Sequence, residues 1–389
     1  MMLGYMDKDR TQPDSIVGNA YRTWLHRFAC LLVVATFVLV ASGGNVTSRD
    51  VGLAVPDGFT VFGHFLWAFP YEEWKGGIFH EHIHRLKGSV IGLLTIGLCV
   101  WLWVDYLRFH GRRWLAWFGT GMLFLVILQG VMGGLRVEFH NHAPHLETPF
   151  RVLHGVTGQL FFCTTVVAAA ALSRLWMLRP QVTADDAQQA SQMVRAGRAV
   201  RLLSIGVLAV LFLQLVLGAV MRHTESGLAI PDFPTSYGNI LPPMTQGALD
   251  EAMFQHGYDD NSAMAYTVGQ VHVHFAHRVW AIVVTGVILA FLTALMKYNS
   301  THPALRRPAA MMLALLIQQL GLGSAVIWTG RHHDVATAHQ AIGAVILALA
   351  TLLAIRVRLV EPGCKAEREP HRATVAAAPA AAQLRGAGA

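Results

Sequence analysis

Charge is scarce in this chain. Asp, Glu, Lys and Arg make up 14% of its 389 residues, where a soluble domain carries about a quarter. A water-covered globular fold is therefore excluded for most of the length. Cysteine is scarcer still. Cys30, Cys99 and Cys163 fall inside apolar runs and Cys364 near the C-terminus, and none has a close partner in a polar loop. That argues against a disulfide framework or a Cys-based metal site. Residues 1–24 are not expected to act as a cleavable leader: they are polar and mixed in charge, with no small-residue cleavage pattern after a short apolar core. The first apolar run is expected to remain as an uncleaved anchor. No basic groove interleaved with aromatic residues occurs, so nucleic acid is not an expected partner.

What the chain has in place of charge is long apolar runs. Crossing a bilayer takes about 20 apolar residues as a helix. Eight runs approach or reach that length: Phe28–Gly44, Val90–Tyr106, Trp114–Leu135, Val152–Leu172, Leu202–Met221, Val273–Leu295, Ala309–Trp328 and Ala336–Ile355. The runs at Phe28 and Val90 are short and are expected to extend outward through less apolar residues. Their period is helical, not the alternation of a membrane barrel. The expected fold is an all-α integral membrane protein with eight transmembrane helices arranged as two parallel, pseudo-symmetric four-helix bundles. Net charge is +7, and its placement is informative. Arg108, Arg112, Arg113, Arg174, Arg198, Arg201, Lys297, Arg306 and Arg307 crowd the short connections, while Asp250, Glu251, Asp259 and Asp260 share a long one. The positive-inside rule then puts both termini in the cytoplasm. The expected divisions are a cytoplasmic segment 1–24, a first bundle 25–176, a linker 177–200, a second bundle 201–357 and a disordered tail 358–389.

The bundles are copies of each other. Gly52-Leu53-Ala54-Val55-Pro56-Asp57 recurs as Gly227-Leu228-Ala229-Ile230-Pro231-Asp232. Each copy is followed by a His-Arg pair, His84-Arg85 and His277-Arg278, and later by a lone histidine, His154 and His339. The third spans match through Gln129-x-x-x-Gly133 and Gln319-x-x-x-Gly323, a spacing of small residues that reads first as close helix packing. With the N-terminus inside, both copies run in the same direction. Of the 20 histidines, loop residues such as His140, His142, His145, His256 and His332 read as solvated polar groups. His84, His154, His277 and His339 differ, because each sits at the outer, N-terminal end of an even-numbered span. An ionisable residue facing a membrane bundle there marks function.

Two histidines per bundle limit the ligand. Zinc takes four protein ligands, or three plus water. Haem iron takes two axial ligands, one on each face. Imidazoles 62 to 70 residues apart on facing apolar helices suit bis-histidine haem ligation. Arg85 and Arg278 stand where propionates could be held, with snorkelling to the surface as the alternative. The copies differ at one position: Glu81 stands three residues before His84, and His274 occupies the matching place before His277. A carboxylate in one copy suggests chemistry there and a helper role for the other.

Together these residues resemble the haem A synthase family of cytochrome oxidase assembly, over roughly residues 20–357. The resemblance rests on Glu81-x-x-His84-Arg85, His154, His277-Arg278, His339 and the two Gly-Leu-Ala-x-Pro-Asp loops. It implies oxidation of the C8 methyl of haem O to a formyl group by successive hydroxylations. It implies that haem O, the substrate, lies between His84 and His154, that haem b serves as cofactor between His277 and His339, and that Glu81 is catalytic. It also implies a bacterial cytoplasmic membrane location, with haem sites toward the outer face. Membrane lipid, a haem O synthase, an electron donor or acceptor, and a second copy of the chain are the implied partners. Some members carry a cysteine pair in an outer loop; this chain is similar to the branch without it. A dihaem electron-transfer cytochrome is the rival reading. It wants haems near opposite faces, and all four histidines are expected on one side. A metal-ion transporter would need polar residues at mid-membrane, where the spans have almost none.

Overall fold

The computed structural model describes residues 13–109, 111–177, 187–256, 266–299 and 303–360. Its helices, in order, are α1 (Pro13–Ser48), α2 (Gly76–Phe109), α3 (Arg113–His142), α4 (Pro144–Ala171), α5 (Arg174–Met177), α6 (Ala187–His223), α7 (Gln246–Gln255), α8 (Val268–Asn299), α9 (Pro303–Trp328) and α10 (His333–Val360). Among the described residues the only β pairing is two isolated bridges. All but α5 and α7 are long and apolar enough to cross a membrane, eight in total. The chain is thus the all-α integral membrane protein its apolar runs imply.

The helix ends differ from the hydropathic runs for a physical reason. α2 starts at Gly76, not Val90, because its first turns carry His80, Glu81, His82, His84 and Arg85. Those residues face protein rather than lipid, and hydropathy cannot see that. α1 begins inside the stretch read as a cytoplasmic segment, and α6 begins inside the stretch read as a linker. Of the tail expected at 358–389, residues 358–360 are the end of α10 and 361–389 lie outside the described residues.

The bundle is apolar on the outside. Leu93, Phe124, Ile282 and Ile317 are 61%, 68%, 73% and 66% exposed, a surface that hydrocarbon, not water, covers. Within each half the helices form a four-membered ring: α1–α2–α3–α4 and α6–α8–α9–α10. Separate cores fill the rings, one around Leu32, Leu98, Met122 and Phe161, the other around Phe291, Leu305, Met312 and Leu353. The halves join where α1 meets α10, α4 meets α6, and α4 meets α10. Exchanging the halves maps that seam onto itself. Phe37, Phe162, Val166 and Ala344 pack along it. Polar ties close it at the loop end: Thr337 donates to Ser48 Oγ at 3.0 Å, and Arg331 pairs with Asp50 at 3.0 Å.

The connections at that end fold rather than lie flat. The apolar stretch 59–69 and the residues after it form a compact loop with short 3-10 turns at Leu66–Ala68 and Tyr71–Glu73. Val55, Val61 and Phe69 are its buried core. Phe65 and Trp67 stay exposed.

Candidate functional site

The Gly-Leu-Ala repeat is longer in the structure than its first six residues. Gly52–Gly63 and Gly227–Gly238 form the same turn twice. Asp57 Oδ2 accepts from Thr60 Oγ1 at 2.8 Å and from the Gly63 N–H at 2.7 Å. Asp232 Oδ2 accepts from Thr235 Oγ1 at 2.5 Å and from the Gly238 N–H at 2.9 Å. The Gly63 and Thr60 bonds hold the Asp57 carboxyl below the usual carboxylate range. Positive φ at Phe62 (49°) and Gly63 (76°), matched by Tyr237 (54°) and Gly238 (74°), gives the tight reversal of a type I′ turn. The signal Asp-x-x-Thr-x-x-Gly was present in both copies of the sequence and was missed by reading only the apolar-proline core.

Each turn is clamped to its helix by the arginine after the histidine. Arg85 donates to the carbonyls of Asp57 (2.7 Å), Thr60 (3.0 Å) and Val55 (3.4 Å). Arg278 donates to the matching carbonyls of Asp232 (2.7 Å), Thr235 (2.9 Å) and Ile230 (3.2 Å). A guanidinium has five N–H donors, so most of each arginine's capacity is taken up by loop carbonyls. Neither arginine snorkels to the surface.

Position 81/274 completes the same clamp with different chemistry. Glu81 Oε2 accepts from the Val55 N–H at 2.9 Å, and Oε1 from Arg85 at 2.7 Å. His274 takes the same place: the Ile230 N–H lies 3.2 Å from Nδ1 and Arg278 Nε 3.2 Å from Nε2, and a neutral imidazole accepts only one of the two bonds. Glu81 is 4% exposed and His274 3%. The two residues are architectural equivalents. What differs is a buried negative charge, present in the first half only and paired with Arg85.

The four histidines obey one rule. Each ring lies against a glycine of the neighbouring helix, where a Cβ would meet a ring carbon at 3.0 to 3.4 Å: His84 on Gly43, His154 on Gly133, His277 on Gly218 and His339 on Gly323. Gly133 and Gly323, expected to serve helix packing, make room for imidazoles instead. Glutamines one turn before three of these glycines approach the histidines. Gln214 Nε2 lies 3.2 Å from the His277 ring and donates to its carbonyl at 3.2 Å. Gln319 Nε2 is 3.5 Å from His339 Nε2. Gln129 bonds the Thr157 hydroxyl beside His154. Leu39 takes the fourth place, and His84 Nδ1 is buried without a partner.

Glu81, His84, Arg85, His154, His277, Arg278 and His339 all line one continuous cavity of about 1550 Å³. Single ligand pockets hold about 300–1,000 Å³, so the space suits two large ligands. The rings within a half are in electrostatic reach of each other, His84 of His154 and His277 of His339. The histidines sit in the second or third turns of α2, α4, α8 and α10, all toward the loop end. Arg108, Arg113, Arg174 and Arg306 lie at the opposite end of the helices.

Sequence reasoning missed four arginines and a histidine lining the same cavity: Arg136, Arg151, Arg222, Arg331 and His223. Arg222 crosses the seam to donate to Gly44 O at 2.7 Å, and within its own half it donates to Gln340 at 3.2 Å. The Nε atoms of Arg136 and Arg151 are buried without partners. These residues have no repeat counterpart: Val326, Ala336 and Thr47 stand where Arg136, Arg151 and Arg222 would recur. Repeat matching therefore could not find them. Their signal was a charge at the edge of an apolar span.

The donor set fits haem. It offers paired neutral-type nitrogen ligands, apolar walls, orphaned nitrogens at His84 and His339, and cations at one rim. Comparison with known proteins agrees. Residues 58–351 match the family model described as cytochrome oxidase assembly protein. The chain is 27% identical to a heme A synthase of Methylorubrum extorquens, over 86% of each chain. It is 24% identical to that of a Caulobacter species, over 92% of this chain and 99% of the other. It is 29% identical to that of Rhodospirillum centenum, over 71% of this chain and 66% of the other.

Proposed function

The chain belongs to the haem A synthase family of cytochrome oxidase assembly proteins, and from that premise we propose how its two halves divide the work. The first half, about residues 25–176, takes haem O between His84 and His154. The second, about 201–357, takes haem b between His277 and His339. The product is haem A, formed by successive hydroxylation of the C8 methyl to a formyl group. The observation that carries this reading is a single cavity with four glycine-seated histidines and one buried carboxylate, on the first half only.

Haem b supplies one-electron transfer when bound. The rest of the work belongs to side chains. Glu81 brings a fixed negative charge to the rim of the His84 pocket, with both oxygens oriented by Val55 and Arg85. It either stabilises positive charge developing at the reacting methyl or accepts a proton from it. Arg85 and Arg278 add positive charge near propionates while holding their loops. Arg136 and Arg151 offer the free donors for propionates at the first site. With the basic helix ends in the cytoplasm, both termini are cytoplasmic and the haem sites face the outer side of a bacterial cytoplasmic membrane. A haem O synthase is the natural supplier of substrate, and an electron donor or acceptor balances each hydroxylation.

The test is co-expression with a haem O synthase, then haem extraction and chromatography. Haem A is the expected product. Haem b alone, with no haem A, would make the protein a dihaem cytochrome.

A further inference from the structure

The halves align residue by residue along their second and third long helices. His84 and His277 fix the register of α2 on α8. Buried Ile91, Leu98, Cys99 and Leu102 then fall opposite buried Val284, Phe291, Leu292 and Leu295. Gln129 and Gln319 fix α3 on α9, with buried Leu115 and Met122 opposite buried Leu305 and Met312. In this register Gly88, Gly92 and Gly130 stand where the second half has Ala281, Thr285 and Leu320. All six line the cavity. A Cβ on any of the three glycines would meet nothing within 4 Å. No neighbour fills the space the missing side chains leave; the second half keeps one such open glycine on the cavity, Gly321, opposite Val131.

That space has a direction. His84, Gly88, Gly92 and Ile96 recur every four residues and share one face of α2. Gly130, Ile127 and Leu123 share a face of α3 at three- and four-residue steps, and they line the same cavity. The trough starts at the His84 ring, whose Nδ1 is buried and unpartnered. It descends three helical turns or so, about 18 Å at 1.5 Å per residue. It ends at Ile96 and Ile127, which are 46% and 57% exposed on the outside of the bundle. Both lie in spans that lipid surrounds.

Resting on the haem reading above, we propose that the first half is shaped for a haem bearing a long apolar chain, laid along Gly88, Gly92 and Gly130 with its end toward the bilayer. The second half, narrowed by the Ala281, Thr285 and Leu320 side chains that line it, takes a haem without such a chain. Selection is steric and apolar: the wider trough gives the chain a surface to bury against, and the narrower one leaves it less room. The lateral opening also gives a chain-bearing, water-insoluble substrate a route in from the membrane.

The test is a Soret-band titration of the purified protein, its second-half site already filled, with haem O and with haem b. Haem O carries an isoprenoid chain and haem b does not. Wild type is expected to bind haem O at least about tenfold more tightly, the gain from burying a few methylenes. G88A/G92T/G130L, which copies the second half, is expected to bring the two affinities within about threefold by weakening haem O alone. Retained haem b binding shows that the variant is folded; should it not fold, G92T is read the same way. Equal affinities in wild type, or a preference that survives substitution, would overturn the proposal. Failure of either haem to produce a signal that His154→Ala removes would overturn the haem reading beneath it.

Discussion

The two halves of this protein share a scaffold almost bond for bond at the loop end and differ in what that scaffold holds. The same turn, the same arginine clamp and the same histidine-on-glycine seat occur twice. Against that constant background three differences stand out: Glu81 for His274, Leu39 for Gln214, and open glycines for Ala281, Thr285 and Leu320. Duplication supplies the ligand geometry, and single substitutions on it supply the division of labour. Glu81 is instructive because both halves need an acceptor there to hold the loop. Only one supplies it as a carboxylate.

The largest expected effect separates the halves outright. His277→Ala should abolish the low-spin haem b spectrum, while His84→Ala should leave it in place. A spectrum unchanged by His277→Ala breaks the assignment of the second half. Next, Glu81→Gln should keep bound haem and lower haem A formation by at least about 100-fold, the usual scale for a general acid–base or electrostatic group. Product at the normal rate, measured by chromatography, would leave Glu81 as a loop clamp alone. Third, Gly218→Val pushes a side chain into the His277 ring, where a Cβ already comes to 3.1 Å. Haem b content of the purified protein should fall by more than about tenfold, on the scale seen when ligand-orienting contacts are lost. The subtlest test exchanges the supporting residues. Gln214→Leu, which makes the second half resemble the first at Leu39, should weaken haem b binding by about tenfold and leave the fold intact. An unaltered affinity would show that the glutamine fills space only.

Much of this was legible in the sequence. Eight spans follow from apolar length, and the four candidate ligand histidines from their recurrence beside a repeated loop. The start of α2 was not legible, because Glu81, His84 and Arg85 are polar yet face the cavity. The arginines illustrate a second limit. Arg85 is adjacent to His84 in sequence, but its acceptors lie 25 to 30 residues back, and chain folding alone brings them together. Arg136, Arg151 and Arg222 were invisible to a search built on repetition, since they occur once.

The sequence by itself determined that this is a duplicated eight-helix membrane protein with two histidines per copy and one unmatched carboxylate. Hydropathy and periodicity are local properties, and a repeat is visible wherever it is kept. Tertiary structure decided what each polar group is for. It turned Gly133 and Gly323 from helix contacts into seats for imidazoles, engaged Arg85 and Arg278 with loop carbonyls, and gathered unrepeated arginines around a shared cavity. It also showed that three glycines in the first half leave a trough open to lipid. Those outcomes depend on which faces of separate helices meet, and no local feature of the chain encodes that.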